Sequence, residues 1–199
     1  MKKRVFIIHG WEGYPEEGWF PWLKKELEKR GFEVFVPAMP NTDEPKIEEW
    51  VPFLVNLVGE PDENTYFVGG SIGCQAIMRY METLPDNEKI GGVVFVSGWF
   101  DLKEFVYKEE PEYEEEARDI ARPWIETPIN FKKIKKITNN FVAIFSDDDP
   151  YVEINNKDIF KKELGAEIII EHNKGHFRGN EDGVFELPIV LGKILEISK

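Results

Sequence analysis

Six short apolar blocks punctuate the chain, and most of the intervals between them carry apolar residues at helical spacing. The blocks are Arg4 to Ile8, Phe32 to Val36, Tyr66 to Val68, Gly92 to Val96, Phe141 to Phe145 and Glu167 to Ile170. Most are continuously apolar rather than alternating, the mark of strands buried on both faces. Between them, Phe20, Leu23 and Leu27 predict a helix closed by Gly31. Ile47, Trp50, Val51, Leu54 and Val58 predict a second, with Pro52 in its first turns or kinking it. Ile72, Ala76, Tyr80 and Leu84 give a third its apolar face, and further helices are expected around Asn155 to Leu164 and Val184 to Ile197, the last with Pro188 in its first turns. Alternation of this kind predicts a parallel sheet covered by helices on both faces. At 199 residues, with no internal repeat or linker, one domain over 1–199 is expected.

Charge narrows the partners. The chain carries 38 acids against 25 Lys and Arg, a net charge of −13. Such a surface repels phosphate backbones and anionic lipids, so neither nucleic acid nor membrane is expected as a partner. The basic start precedes an apolar run too short for a signal peptide, and no stretch approaches a membrane span. The one cysteine excludes an internal disulfide and a thiolate metal cluster, and a cytoplasmic protein is the expectation.

The third block ends in Gly69-Gly70-Ser71-Ile72-Gly73, and a helical pattern begins at once. This is G-x-S-x-G in strand–turn–helix context, the arrangement that exposes a nucleophilic hydroxyl on a strained turn. A glycine-rich turn in any α/β protein reads the same way, so the other polar residues decide. In a parallel sheet, functional groups collect beyond the strand C-termini. His9-Gly10-Trp11 follows the first block, Asp147 to Asp149 the fifth, and His176 lies beyond the sixth. The order Ser…Asp…His is that of an α/β-hydrolase triad.

Ser71 needs an imidazole to take its proton, and His176, between Gly175 and Phe177, is the candidate base; His172 is its competitor. An aspartate must hold that ring in the right tautomer. Any of Asp147, Asp148 and Asp149 could reach the crevice, but Pro150 biases Asp149 towards a defined extended direction, with Asp148 next in line. The oxyanion hole is expected from the backbone N–H groups of Ile72 and Trp11. His9 is expected to brace that loop, with Gly10, Gly70 and Trp99 beside it in the substrate pocket. With three histidines in all, a metal site is not expected, and no cofactor is implied.

Several blocks together resemble the small serine hydrolase family of retinoblastoma-binding protein 9 and the bacterial YdeN-like hydrolases. They are Ile8-His9-Gly10, Trp19 to Lys24, Met39-Pro40-Asn41, the Ser71 elbow through Cys74, Val96-Ser97-Gly98, Ser146 to Asp149 and Gly175-His176-Phe177. The resemblance spans essentially the whole chain. It implies a compact α/β-hydrolase fold with six strands and no large cap, and a triad of Ser71, Asp149 and His176. The expected sheet order is 2-1-3-4-5-6. One departure is Gly70, where the family usually has histidine, which puts the pocket floor in question but not the chemistry. The expected reaction is hydrolysis of a small carboxylic ester or related acyl compound through an acyl-enzyme on Ser71. An amidase or peptidase would use the same triad. A protein-binding module on this scaffold is the reading from another class. Its surface would be the Asp101 to Asp119 segment, where nine acids meet three cations, although a solvated helical insertion is the simpler account.

Overall fold

The computed structural model describes residues 2–103 and 111–199. Strands β1 (Arg4–Ile8), β2 (Glu33–Phe35), β3 (Thr65–Gly70), β4 (Gly92–Val96), β5 (Phe141–Ser146) and β6 (Glu167–Glu171) form one sheet in the order β2-β1-β3-β4-β5-β6. Every pairing is parallel, with Ile8 beside Gly69 and Gly70 beside Val96 at the C-terminal edge. The chain reverses its direction of travel across the sheet between β1 and β3, so the crevice beyond their ends is the topological switch point. This is the expected order.

Strand pleat divides the core in two. Phe6, Ile8, Phe67, Val93 and Phe95 face α2 (Ile47–Val58) and α3 (Ile72–Thr83), together with α5 (Phe131–Ile137) and α6 (Asn156–Ile159). Val5, Ile7, Val68, Val94 and Val96 face α1 (Phe20–Glu28) and α8 (Pro188–Ile197). The remaining helices are α4 (Pro111–Glu126) and α7 (Gly179–Asp182). Among the described residues no helix is long and apolar enough to cross a membrane.

The differences from the sequence reading have local causes. The α8 helix begins at Pro188 rather than near Val184, because proline is suited to the first helical position, where its missing N–H costs nothing. The α6 helix continues through Phe160–Leu164 as a π turn and ends at Gly165 in a left-handed conformation (φ 72°). The α5 helix was not expected. Its signal is Asn130, whose side chain caps it by accepting the Lys133 N–H at 3.1 Å. Much of the acidic Asp101 to Asp119 segment, residues 104–110, lies outside the described residues.

One packing contact sets the height of the sheet's functional edge. A Cβ on Gly73, in the first turn of α3, would lie 2.5 Å from the Ile8 carbonyl oxygen and 2.6 Å from that of His9. Only glycine lets α3 press this close beneath the end of β1. At Gly70 a Cβ would meet nothing nearer than 3.7 Å. Gly73→Ala is therefore expected to destabilise the fold by about 3 kcal/mol or more, the upper range for overpacking against backbone that cannot yield. Gly70→Ala is expected to stay within about 1 kcal/mol of the parent, near the ordinary cost of a tolerated substitution. Urea unfolding of the two variants makes the comparison.

Candidate active site

Ser71 sits between the last residue of β3 and the first of α3 with φ 51° and ψ −124°, a conformation that L residues rarely adopt. Its N–H donates to the Val96 carbonyl at 2.9 Å, and its carbonyl accepts the Cys74 N–H at 3.0 Å. The turn is closed by glycines: a Cβ on Gly69 would lie 2.8 Å from the Cys74 nitrogen. Such strain costs on the order of 1–3 kcal/mol and persists where the surroundings over-determine it. It is not confined to Ser71. The six non-glycine residues with positive φ among those described are Glu12, Asn41, Ser71, Ser97, Asn173 and Phe177. All six lie in loops leaving strand C-termini, the edge where the candidate residues gather.

The three consecutive aspartates after β5 divide their work along the loop that follows β6. Asp147 pairs with His172 and accepts the Asn173 N–H at 3.2 Å. Asp148 accepts from Ser146 Oγ at 2.6 Å and from the N–H groups of Lys174 at 3.1 Å and Gly175 at 2.9 Å. Asp149, 3% exposed, accepts from His176 Nδ1 at 2.8 Å. Its other oxygen, Oδ1, accepts the N–H groups of Tyr151 at 2.9 Å and Val152 at 3.0 Å. Burial alone pushes the Asp149 carboxyl up; the His176 ring and these N–H groups more than offset it, leaving the pKa below the ordinary carboxylate range. Asp147 and His172 stand largely exposed. His172 does not line the cleft that contains Ser71.

That cleft, about 140 Å³, is walled by Gly10, Trp11, Ser71, Trp99, Tyr151 and His176. Tyr151 meets His176 edge-on, with ring centroids 5.2 Å apart. The histidine loop turns on Gly175, which has φ 53°, and a Cβ there would collide with the Asp182 carboxylate.

The loop after β1 passes close over the serine. A Cβ on Gly10 would lie 3.1 Å from that of Ser71 and 3.8 Å from its Oγ. The Gly10 carbonyl is turned back, accepting from His9 Nδ1 at 2.9 Å and from the Gly13 N–H at 3.2 Å. Across a trans peptide, the Trp11 N–H points the opposite way. His9 is fully buried and its Nε2 accepts the Met39 N–H at 3.0 Å. A carbonyl on one side and an N–H on the other fix the neutral tautomer with its proton on Nδ1. Burial pushes the His9 pKa down, with the Gly10 carbonyl opposing. His9 thus lies behind the loop, and Gly70 lines the cleft beside Phe20. Ile72 opens α3, where a backbone N–H has no partner within the helix.

Sequence reading missed three contributors. Ser97 donates its hydroxyl to Asp149 Oδ2 at 2.9 Å, the same oxygen that serves His176. Glu17 and Arg178 line the cleft as an ion pair at 3.8 Å, and burial raises the Glu17 pKa while Arg178 lowers it. Their signals were weak: a serine in a short turn, and an acid and a base 161 residues apart.

A serine hydrolase family profile matches residues 5–194. The chain belongs to the serine hydrolase family. It is 32% identical over 190 residues to the hydrolase YdeN of Bacillus subtilis, covering 96% of this chain and 93% of YdeN. It is 28% identical over 166 residues to the serine hydrolase RBBP9 of Rattus norvegicus, covering 82% of this chain and 80% of RBBP9. The crystal structure of the B. subtilis ydeN gene product superposes with a TM-score of 0.86 at 29% identity, covering 98% of each chain. Est1E of Butyrivibrio proteoclasticus shares the fold at a TM-score of 0.71 and 16% identity, over 98% of this chain and 88% of Est1E. This serine hydrolase is a hydrolytic enzyme on the α/β-hydrolase fold.

Because His9 is neutral in the folded hydrolase, it has a consequence for stability. Its folded pKa lies below the unfolded value of about 6.5, so between the two the unfolded chain binds more protons. Stability from this group is full above about 6.5 and is lost as the pH falls through that window. His172, whose pKa Asp147 raises, has the opposite sign. In a His172→Ala background, His9→Asn should therefore lower stability at neutral pH but flatten its decline on acidification. Urea unfolding across pH about 5 to 7.5 measures this, and an unchanged slope would contradict a neutral buried His9.

Proposed function

We propose that this chain hydrolyses small carboxylic esters or related acyl compounds through an acyl-enzyme on Ser71. The observation that carries the reading is the 2.8 Å bond from His176 Nδ1 to the buried carboxylate of Asp149, made by a histidine that lines the same cleft as the strained Ser71. That bond assigns the ring's Nδ1 as donor and leaves Nε2 to act as base. Ser71 Oγ attacks the acyl carbon while its proton passes to His176 Nε2. The imidazolium gives the proton to the departing alcohol, and Asp149 offsets its charge. Water then repeats the sequence on the acyl-enzyme, with His176 again the base and Ser71 the leaving group.

The tetrahedral oxyanion needs donors set in advance. The N–H of Ile72 at the start of α3 and that of Trp11 are the two we assign, each worth about 3 kcal/mol in the transition state. The turned-back Gly10 carbonyl supports the second assignment. A cleft of about 140 Å³ suits a short acyl group better than a long chain. The substrate is a small molecule, with no cofactor in the reaction. We place the enzyme in the cytoplasm on its single, buried thiol.

A fluorophosphonate should label Ser71 alone, and Ser71→Ala should abolish labelling while the protein still unfolds cooperatively. Asp149→Asn is expected to lower kcat by up to about 10⁴-fold, the cost of a misoriented triad histidine. Asp148→Asn keeps an acceptor oxygen for the Lys174 and Gly175 N–H groups, so its cost should be about tenfold or less, near 1.4 kcal/mol. Labelling elsewhere, or a crippled Asp148→Asn beside a normal Asp149→Asn, would overturn the assignment. Turnover of p-nitrophenyl acetate against an aminoacyl amide separates esterase from amidase.

A further inference from the structure

The Trp99 indole is 1% exposed, and its Nε1–H faces Ser71 Oγ at 3.3 Å. An indole nitrogen can only donate. When such a group is buried it is normally given an acceptor, and here the acceptor is the hydroxyl that we assign as nucleophile. The contact is long for a neutral donor and acceptor, so it contributes little to the resting protein.

Its placement is rigid nonetheless. Trp99 leaves β4 through Ser97, at φ 45°, and Gly98, where a Cβ would lie 2.6 Å from Phe160 Cζ and 3.1 Å from Cys74 Sγ. Its carbonyl accepts from Gln75 Nε2 at 3.0 Å, and Gln75 Oε1 accepts from Arg79 at 3.1 Å. Gln75 is fully buried and is the chain's single glutamine. It stands one helical turn beyond Ser71, so the helix that carries the serine also fixes the backbone of Trp99. A space-filling side chain would need no such hold on its register with the hydroxyl.

We propose that the Trp99 indole N–H is a catalytic hydrogen-bond donor to Ser71 Oγ, a role that rests on the acyl-enzyme reading above. In the resting site it occupies one lone pair of Oγ, and the Ser71 O–H remains free to donate to a base in the same cleft, which His176 also lines. During acylation, Oγ bonds to the acyl carbon as its proton moves to His176 Nε2. The partial negative charge on Oγ before that bond is complete strengthens the indole bond. In deacylation, the water oxygen bonds to the acyl carbon and the C–Oγ bond breaks. The electron pair returns to Oγ, and the proton on His176 follows it. The same N–H stabilises the departing alkoxide. It thus binds the transition states of both half-reactions more tightly than the resting hydroxyl, which is the condition for raising kcat. A donor to the leaving oxygen matters most where deacylation limits turnover, as it does for activated esters.

The test compares wild type, Trp99→Phe, and a protein in which 3-benzothienylalanine replaces Trp99. That isostere keeps the bicyclic shape and puts sulfur where the N–H was. With p-nitrophenyl acetate, both substitutions are expected to lower kcat by about 10- to 100-fold, below the full loss of an oxyanion donor because the charge on Oγ is smaller. The fluorophosphonate should still label Ser71 to completion, more slowly. If the isostere turns over within about twofold of wild type, the N–H has no catalytic part and Trp99 is only a wall of the cleft. A Trp99→Phe protein that fails to unfold cooperatively leaves the isostere as the deciding variant. If wild type itself is not labelled at Ser71, the acyl-enzyme reading falls first, and this proposal with it.

Discussion

The functional edge of this protein depends on how closely α3 lies against the end of β1. The absent side chain of Gly73 lets the first turn of the helix approach the Ile8 and His9 carbonyls, where a single added carbon would overlap both. From that contact the rest follows. Ser71 is lifted into a strained turn, the Gly10 loop lies across it, and Ile72 opens the helix, where its N–H has no partner within the helix. The energy comes from the two apolar layers beneath, which are closed by aromatic and branched side chains on both faces of the sheet. A large core supports a small region of unfavourable backbone, and that region is where the candidate site gathers.

Electrostatics repeats the pattern. A buried carboxylate is costly unless its lone pairs are filled. Asp149 is given four donors: the His176 ring, the Ser97 hydroxyl and two backbone N–H groups. Its neighbours Asp147 and Asp148 grip earlier stretches of the histidine loop, so three successive carboxylates meet three successive stretches of the facing chain. The arrangement fixes where His176 can stand without burying the whole loop.

Much of this was legible in the sequence because the determinants are local. Continuous apolar blocks read as doubly covered strands, and the G-x-S-x-G turn spans five consecutive residues whose meaning came from the polar residues at the other strand ends. Strand order followed from the family resemblance and is the order observed. The choice among the three aspartates was harder, since all stand in one turn and differ only in direction; Pro150 and the family resemblance were the clues. What could not be read depends on distance along the chain. Ser97 reaches Asp149 across 52 residues, and Glu17 meets Arg178 only because two loops close on one another. The short α5 helix escaped because its seven residues carry four lysines among few apolar positions. Buried Gln75 and Arg79 gave no periodic signal at all, since polar residues on a buried helix face break the pattern that reveals helices.

Arg79 has a consequence for how this scaffold can change. Its guanidinium, 4% exposed, donates to the Trp124 carbonyl at 2.8 Å and that of Thr127 at 2.9 Å, where α4 ends. A cation there also answers the negative end of the helix. The chain between β4 and β5 is therefore moored at its exit to the helix that bears Ser71. A longer or remodelled segment inserted between β4 and α4 would still return to the same contacts with Arg79. The length of that segment and the position of the helix that bears Ser71 are thereby mechanically separate, and a lineage can alter the first while inheriting the second intact.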